Sequence, residues 1–211
     1  MQWIALAIVI SYLIGSLPTA YFFGKIFKGV DIRNFGSGNV GATNALRVFG
    51  KRAGLIVLAI DIIKGVIPVI FLADYILLRS SIVSADALRF ILGLVCICGH
   101  NWTIFLRFKG GKGVATSLGV LVGLSLKIYI FAKILGIVIL VWLGSFLIIR
   151  IVSLSSLLAA IAFPAAVFFF RLSLPIQIFS LVACAFIVLR HRANLIRLLQ
   201  GKEPRLRFKK S

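Results

Sequence analysis

The chain has 211 residues, 61% of them hydrophobic, and its mean hydropathy is +1.12. Soluble domains are about 45–50% apolar, so a water-soluble globule is excluded. Lys and Arg number 24 against 5 acidic residues, a formal net charge of +19, and a disordered basic tail would not carry this much apolar sequence. The composition predicts an all-α, polytopic integral membrane protein. Its charge is expected to serve loop bias, anionic lipids and anionic small molecules, not nucleic acid.

A spanning helix needs about 20 apolar residues, and seven segments qualify in chain order: 3–23, 54–78, 88–106, 114–126, 128–149, 154–170 and 174–189. The fourth is short enough to be re-entrant. The first starts two residues into the chain without a positive leader region or a small-residue cleavage site, so it is expected to be a retained span. Of the 24 basic residues, 18 fall in the odd-numbered connections and the tail. They include Lys25, Lys28, Arg33, Arg47, Lys51 and Arg52 after the first segment, and Arg107, Lys109 and Lys112 after the third. Arg150 follows the fifth, and the tail runs from Arg190 to Lys210. The other side carries Arg79, Arg89, Lys127, Lys133 and Arg171. The positive-inside rule therefore predicts an outside N-terminus and a cytoplasmic C-terminus. No linker, low-complexity tract or internal repeat divides the chain, so residues 1–211 read as one domain.

Four polar clusters fall on the predicted cytoplasmic side. The first, 36–44, combines Gly36, Gly38 and Gly41 with Ser37, Asn39, Thr43 and Asn44, and Arg47 follows. Glycines with positive φ expose backbone N–H groups, which form anion-binding nests. The hydroxyl and amide side chains add donors, and Arg47 adds a fork suited to phosphate. The second cluster is Lys109-Gly110-Gly111-Lys112-Gly113-Val114-Ala115-Thr116, which opens directly into an apolar helix. Backbone donors at a helix N-terminus beside a lysine suit a phosphate. The run lacks the G-x-x-x-x-G-K-[ST] spacing and a preceding strand, which excludes a nucleotide-hydrolysing P-loop. His100, upstream, has two readings of equal standing, a bundle hydrogen bond or chemistry.

The third cluster places Arg150 before Ser153, Ser155 and Ser156. A helix cap and a set of phosphate donors explain it equally well. In the fourth, His191 and Asn194 share a helical face and Arg197 lies a further turn on, ahead of Glu203. A basic helix on anionic headgroups accounts for Arg192, Arg205, Arg207, Lys209 and Lys210, but not for His191, Asn194 and Glu203. Inside the second segment, Asp61 and Lys64 are spaced to neutralise each other, which reads mainly as structural, with a contribution of Lys64 to the site's positive field as the second reading. Cys96, Cys98 and Cys184 lie in apolar runs and read as small hydrophobes. The few acids and two histidines form no metal-ligand pattern, so neither metal nor cofactor is expected.

In this order the clusters resemble the three motifs of the bacterial acyl-phosphate:glycerol-3-phosphate acyltransferase family (PlsY). The matching stretches are the loop 36–44, the stretch 100–116 and the tail 191–203, with the Asp61–Lys64–Gly65 and Arg150–Ser155 units alongside. The likeness covers nearly the whole chain. One departure is Trp102-Thr103, where the family has an aromatic residue followed by proline; it bears on a local turn. The resemblance implies seven transmembrane helices and an active site at the cytoplasmic face of the bacterial inner membrane. It implies transfer of a fatty acyl group from acyl phosphate to glycerol 3-phosphate, giving lysophosphatidic acid and phosphate, without a metal. A monomer that meets small-molecule substrates and membrane lipids is expected.

On this reading Arg47 and Lys112 clamp phosphate, with Ser37, Asn39, Thr43 and Asn44 as further donors. Gly36, Gly38, Gly110, Gly111 and Gly113 shape the backbone nests. Ser153 or Ser155, His191, Asn194, Arg197 and Glu203 complete the site. Either His191 or a substrate phosphate oxygen takes the proton of the attacking hydroxyl. An acyl phosphate is already activated, so positioning and electrostatics suffice without a covalent nucleophile. Three rival readings fit the sequence less well. Acyl-CoA-dependent glycerol-phosphate acyltransferases carry Asp five residues after His, where this chain has Phe105 and Ile196. An anion transporter would place broken helices and binding groups near the bilayer midplane, and the Ser16-Leu17-Pro18 break is its best support. A basic scaffold leaves the Gly, Asn and Ser clusters unexplained.

Overall fold

A computed structural model describes residues 1–79 and 82–206. The tail residues Arg207, Lys209 and Lys210 lie outside the described residues. Among those described the chain is all helical, and it divides into two compact units, Met1–Phe131 and Ala132–Ser211.

The first unit opens with α1 (Gln2–Ser16) and α2 (Thr19–Lys28), bent by 48° to each other. The sequence reads 3–23 as one helix. The structure breaks it at Leu17–Pro18, because Pro18 has no N–H to continue the ladder. Gly29, at φ +67°, ends α2. A tight turn at Ile32–Asn34 leads through the glycine loop to α3 (Ala42–Phe49). Gly50 separates α3 from α4 (Lys51–Ile67). A π-turn at Pro68–Leu72, where Pro68 again lacks a donor, carries α4 into α5 (Ala73–Leu77). The helix α6 (Ala85–Asn101) starts at Ser84, whose hydroxyl accepts from the Ala87 N–H. A turn at Ile104–Leu106 precedes the glycine–lysine run and α7 (Val114–Ser125).

Small and hydroxyl residues let these helices approach closely, as lipid-embedded packing requires. Ser11 Oγ of α1 donates to Leu92 O at 2.6 Å, and Ser16 Oγ to Gly99 O at 3.3 Å, tying α1 to α6. On α7, a Cβ at Gly119 would overlap the Ile62 carbonyl of α4, so only glycine permits that backbone contact. Apolar side chains of Ala20, Ile32, Val40, Ala45, Val57 and Leu106 form one buried cluster. It gathers α2, the glycine loop, α3, α4 and the Ile104–Leu106 turn at one end of the unit.

The division between units falls at the start of α8 (Tyr129–Ile149). In the second unit, α8 exposes Leu140, Leu147 and Ile148. It ends at Arg150, which takes a left-handed φ of 59°. There follow α9 (Val152–Phe169) and α10 (Leu174–Arg190), packed through buried Ala159, Ala166 and Ala183 and the Phe163–Phe179 edge contact. At His191 the chain bends by 63° into α11 (Arg192–Leu199).

Among the described residues, four helical stretches are long and apolar enough to cross a membrane: Lys51–Leu77, Ala85–Leu106, Tyr129–Ile149 and Val152–Phe169. The pairs α1–α2 and α10–α11 raise this to six if each is one crossing. With 12 residues, α7 rises only about 18 Å, shorter than the roughly 30 Å hydrocarbon core. The shortness read for 114–126 is therefore real.

Candidate functional site

In the first unit, the glycine loop is held from within. Gly36 and Gly38 take φ of +59° and +70°, which a side chain would strain. Asn44, the third residue of α3 and 1% exposed, braces the turn. Its Oδ1 accepts from the Ser37 N–H at 2.9 Å, and its Nδ2 faces the carbonyls of Ile32, Phe35 and Asn39 at 3.4, 3.1 and 3.0 Å. Asn44 was expected to be a phosphate donor. In this conformation its amide organises the loop instead of reaching outward. The rim of the loop is left accessible: Ser37 and Arg47 are exposed, Asn39 and Thr43 half-buried. Upstream, Asp31 takes bidentate hydrogen bonds from Arg33, and the Arg33 guanidinium also lies over the Tyr21 ring. The Arg33 side-chain hydrogen bonds hold the Asp31 pKa down to about 2. Part of the loop's positive charge is thus neutralised locally.

The second glycine run folds back on the end of α6. Gly110 N donates to Asn101 O at 3.1 Å, and Gly111 N to His100 O at 2.9 Å. Thr103, directly after Trp102, builds the preceding turn. Its Oγ1 accepts from the Phe105 N–H at 3.2 Å and donates to Ser16 O at 2.5 Å. Gly110, Gly111 and Gly113 are buried, and Lys112 between them is half-buried. Gly113, with φ +78°, leads into α7 without a side-chain cap on the helix N-terminus. The first-turn amides of α7 are therefore free of any capping side chain. Close by in sequence, both side-chain polar atoms of Asn101 and the hydroxyls of Thr116 and Ser117 are buried without a hydrogen-bond partner. Asn101 and Thr116 fall within the motif stretch 100–116, where the sequence assigns them no role of their own, and Ser117 lies just beyond it.

In the second unit, Glu203 is the hub. Its Oε1 accepts from Ser153 Oγ at 2.7 Å and Asn194 Nδ2 at 2.5 Å, and its Oε2 from Arg197 Nε at 2.7 Å. Burial would raise the carboxyl pKa, but these three hydrogen bonds and the Arg197 charge outweigh it and hold Glu203 below its ordinary range. Glu203 was expected to be substrate-binding, yet a carboxylate repels an anionic substrate, and its geometry is that of a brace for Ser153, Asn194 and Arg197. Ser155 is fully buried and bonds back to Ile151 O within its helix, which leaves Ser153 as the better placed of the two serines. His191 is 2% exposed, and its Nδ1 lies 2.8 Å from Ile187 O. A carbonyl only accepts, so Nδ1 carries the hydrogen and Nε2 is the acceptor nitrogen of the neutral ring. Among the described residues no three His, Cys, Asp or Glu side chains converge.

Apolar helices of spanning length define an integral membrane protein, and its polar interiors are loops and helix ends rich in N–H donors and basic groups, the chemistry of a phosphate-handling enzyme. The model of the glycerol-3-phosphate acyltransferase family matches residues 5–201. A glycerol-3-phosphate acyltransferase of Prochlorococcus marinus (strain NATL1A) is 43% identical over 95% of this chain and 97% of its own length. Glycerol-3-phosphate acyltransferase 2 of Moorella thermoacetica is 42% identical over 97% and 98%. Among solved structures, the glycerol 3-phosphate form of PlsY, an integral membrane glycerol 3-phosphate acyltransferase, is 38% identical with a TM-score of 0.84, covering 97% of this chain and 96% of that one. Its lysophosphatidic acid form is 37% identical with a TM-score of 0.81 over 97% and 95%. The chain belongs to the glycerol-3-phosphate acyltransferase family, as an integral membrane enzyme of phospholipid synthesis.

Proposed function

We propose that this chain transfers a fatty acyl group from acyl phosphate to glycerol 3-phosphate, releasing lysophosphatidic acid and inorganic phosphate. The observation that carries this reading is the uncapped N-terminus of α7, fed by Gly110–Gly113 with Lys112 beside it. Its unassigned amides and the lysine charge suit a phosphate, and relatives are named for glycerol 3-phosphate.

The hydroxyl oxygen of glycerol 3-phosphate attacks the acyl carbon. The new ester C–O bond forms, the bond from that carbon to the bridging oxygen of acyl phosphate breaks, and phosphate leaves. Arg47 and Lys112 clamp phosphate. In the first unit Ser37, Asn39 and Thr43 donate around it, and Gly36, Gly38, Gly110, Gly111 and Gly113 shape the loops, the N–H groups of Gly38, Gly110 and Gly111 being taken by the carbonyls of Phe35, Asn101 and His100. In the second unit His191, with Ser153, Asn194 and Arg197 braced by Glu203, serves the same reaction. The hydroxyl proton passes to His191 Nε2 or to a substrate phosphate oxygen. No cofactor is required, since the mixed anhydride is already activated.

We further propose one acyltransferase domain over residues 1–211, acting as a monomer in the bacterial inner membrane. It crosses seven times, each bent pair counting once and α7 supplying the seventh crossing. Irregular backbone is tolerated at membrane depth where protein buries it, which the buried glycine run before α7 permits. The basic connections support an outside N-terminus and a cytoplasmic active site.

The test is Lys112→Ala. It should remove most turnover and weaken calorimetric binding of glycerol 3-phosphate while leaving thermal unfolding unchanged. Near-normal turnover would overturn the clamp.

A further inference from the structure

A buried ionic post crosses the first unit at a place the proposed reaction leaves unused. Asp61 and Lys64 sit one turn apart on α4 with side chains 2% and 4% exposed, paired at 2.8 Å. Asp61 Oδ1 also accepts from Thr19 Oγ1 at 2.9 Å, and Lys64 Nζ donates to Leu17 O at 3.0 Å. Thr19 and Leu17 flank Pro18, so the pair grips the break between α1 and α2. Burying two charges is costly, and well-packed apolar side chains would join the helices at least as well. Simple adhesion does not account for the pair.

Its far end does. His100 Nδ1 lies 3.9 Å from Asp61 Oδ1, with the ring 6% exposed. That separation is too long for a hydrogen bond, so the carboxylate acts on the ring through its field, on the dipole of a neutral imidazole or the charge of a protonated one. The ring's opposite nitrogen faces Gly111, where a Cβ would overlap Nε2, Cε1 and Cδ2. The backbone of His100 accepts from the Gly111 N–H, so ring and backbone both fix the residue before Lys112. On the other side of the run, α4 meets the first turn of α7: a Cβ at Gly65 would overlap Thr116 O. The loop carrying Lys112 is thus held between groups that Asp61 and its neighbours set.

We propose that Asp61 is a positioning residue for Lys112, acting through His100: it orients the imidazole, the imidazole seats Gly111, and Gly111 sets the direction in which Lys112 leaves the loop. This rests on the reading of Lys112 as a phosphate ligand.

Asp61→Asn alone strands the Lys64 charge and risks unfolding, so the informative variant is D61N/K64M, which buries no unpaired charge. It should raise the KM for glycerol 3-phosphate about tenfold, a modest misplacement of a binding group, with kcat less affected and thermal unfolding within a few degrees of wild type. In a His100→Ala background the same pair of changes should add nothing, because the intermediary is gone. Gly111→Ala should lower activity by itself, and His100→Ala should recover part of that loss by vacating the space. Calorimetric binding of glycerol 3-phosphate keeps the cycle readable where turnover is lost. A wild-type KM in D61N/K64M, or an effect of equal size with and without His100, would overturn the proposal. If Lys112→Ala is inactive while D61N/K64M behaves as wild type, the positioning role fails alone; if Lys112→Ala is fully active, the underlying clamp fails.

Discussion

Glu203→Ala removes the acceptor that organises the second unit's polar end. Ser153 and Asn194 are 6% and 5% exposed, and both donate to Glu203 Oε1. Leaving a buried donor unsatisfied costs roughly 1–3 kcal/mol, so the two together cost roughly 2–6 kcal/mol. Arg197, 40% exposed at its side chain, is screened by solvent and adds at most about 1 kcal/mol. The segment after α11 is held further by the Leu206 N–H donating to Arg150 O at 2.8 Å. With the hub gone, that amide should open locally and exchange faster. About 1.4 kcal/mol corresponds to tenfold, so exchange should accelerate by roughly one and a half to four orders of magnitude, up to the limit set by the tail's own stability. Hydrogen–deuterium exchange with mass spectrometry on peptides covering 192–206 measures it. Glu203→Gln keeps one acceptor oxygen and should lie between alanine and wild type. Exchange in Glu203→Ala within about threefold of wild type would refute the reasoning, since the donors would then not depend on the carboxylate.

The glycine loop gives a parallel case: Asn44→Ala frees the Ser37 N–H and three carbonyls, and should destabilise the protein by roughly 2–4 kcal/mol with most activity lost, read by thermal unfolding and turnover. Asn44→Asp keeps the acceptor for Ser37 but loses the donors, so it should rescue only in part. Acid sensitivity follows from two depressed carboxyls. Asp31, held near 2 against an ordinary 3.8, and Glu203, held below 4.5, stabilise the fold above those ordinary values. That contribution is lost as pH falls through the lower folded values. The unfolding temperature should therefore be flat in these terms above about pH 5 and fall towards pH 2, and the fall should be shallower in an Asp31→Asn/Glu203→Gln double variant. An unchanged acid slope would remove these two carboxyls from the account.

Much of the helical architecture was legible because spanning helices need long apolar runs, and runs such as 128–149 contain few residues of any other kind. The break at Pro18 was visible as a missing donor, but its use as a seat for Lys64 and Asp61 was not, since the partners come from helices more than 40 residues apart in sequence. Asn44 and Glu203 show the same limit at the site. Asn44 reads from sequence as a donor of the glycine-rich loop, and Glu203 as part of the tail motif 191–203. The structure turns them inward: Asn44 reaches three carbonyls of its own loop, and Glu203 gathers donors nine and 50 residues away. Sequence gave the residue types around the phosphate chemistry; which of them hold the others in place depends on contacts with no periodic signature.

The central claim is the identity of the acyl donor. Purified protein in detergent or nanodiscs, given glycerol 3-phosphate with palmitoyl phosphate, and separately with palmitoyl-CoA, should form lysophosphatidic acid only from the acyl phosphate, with one inorganic phosphate released per product. Lysophosphatidic acid formed from the CoA thioester and not from acyl phosphate would contradict the account.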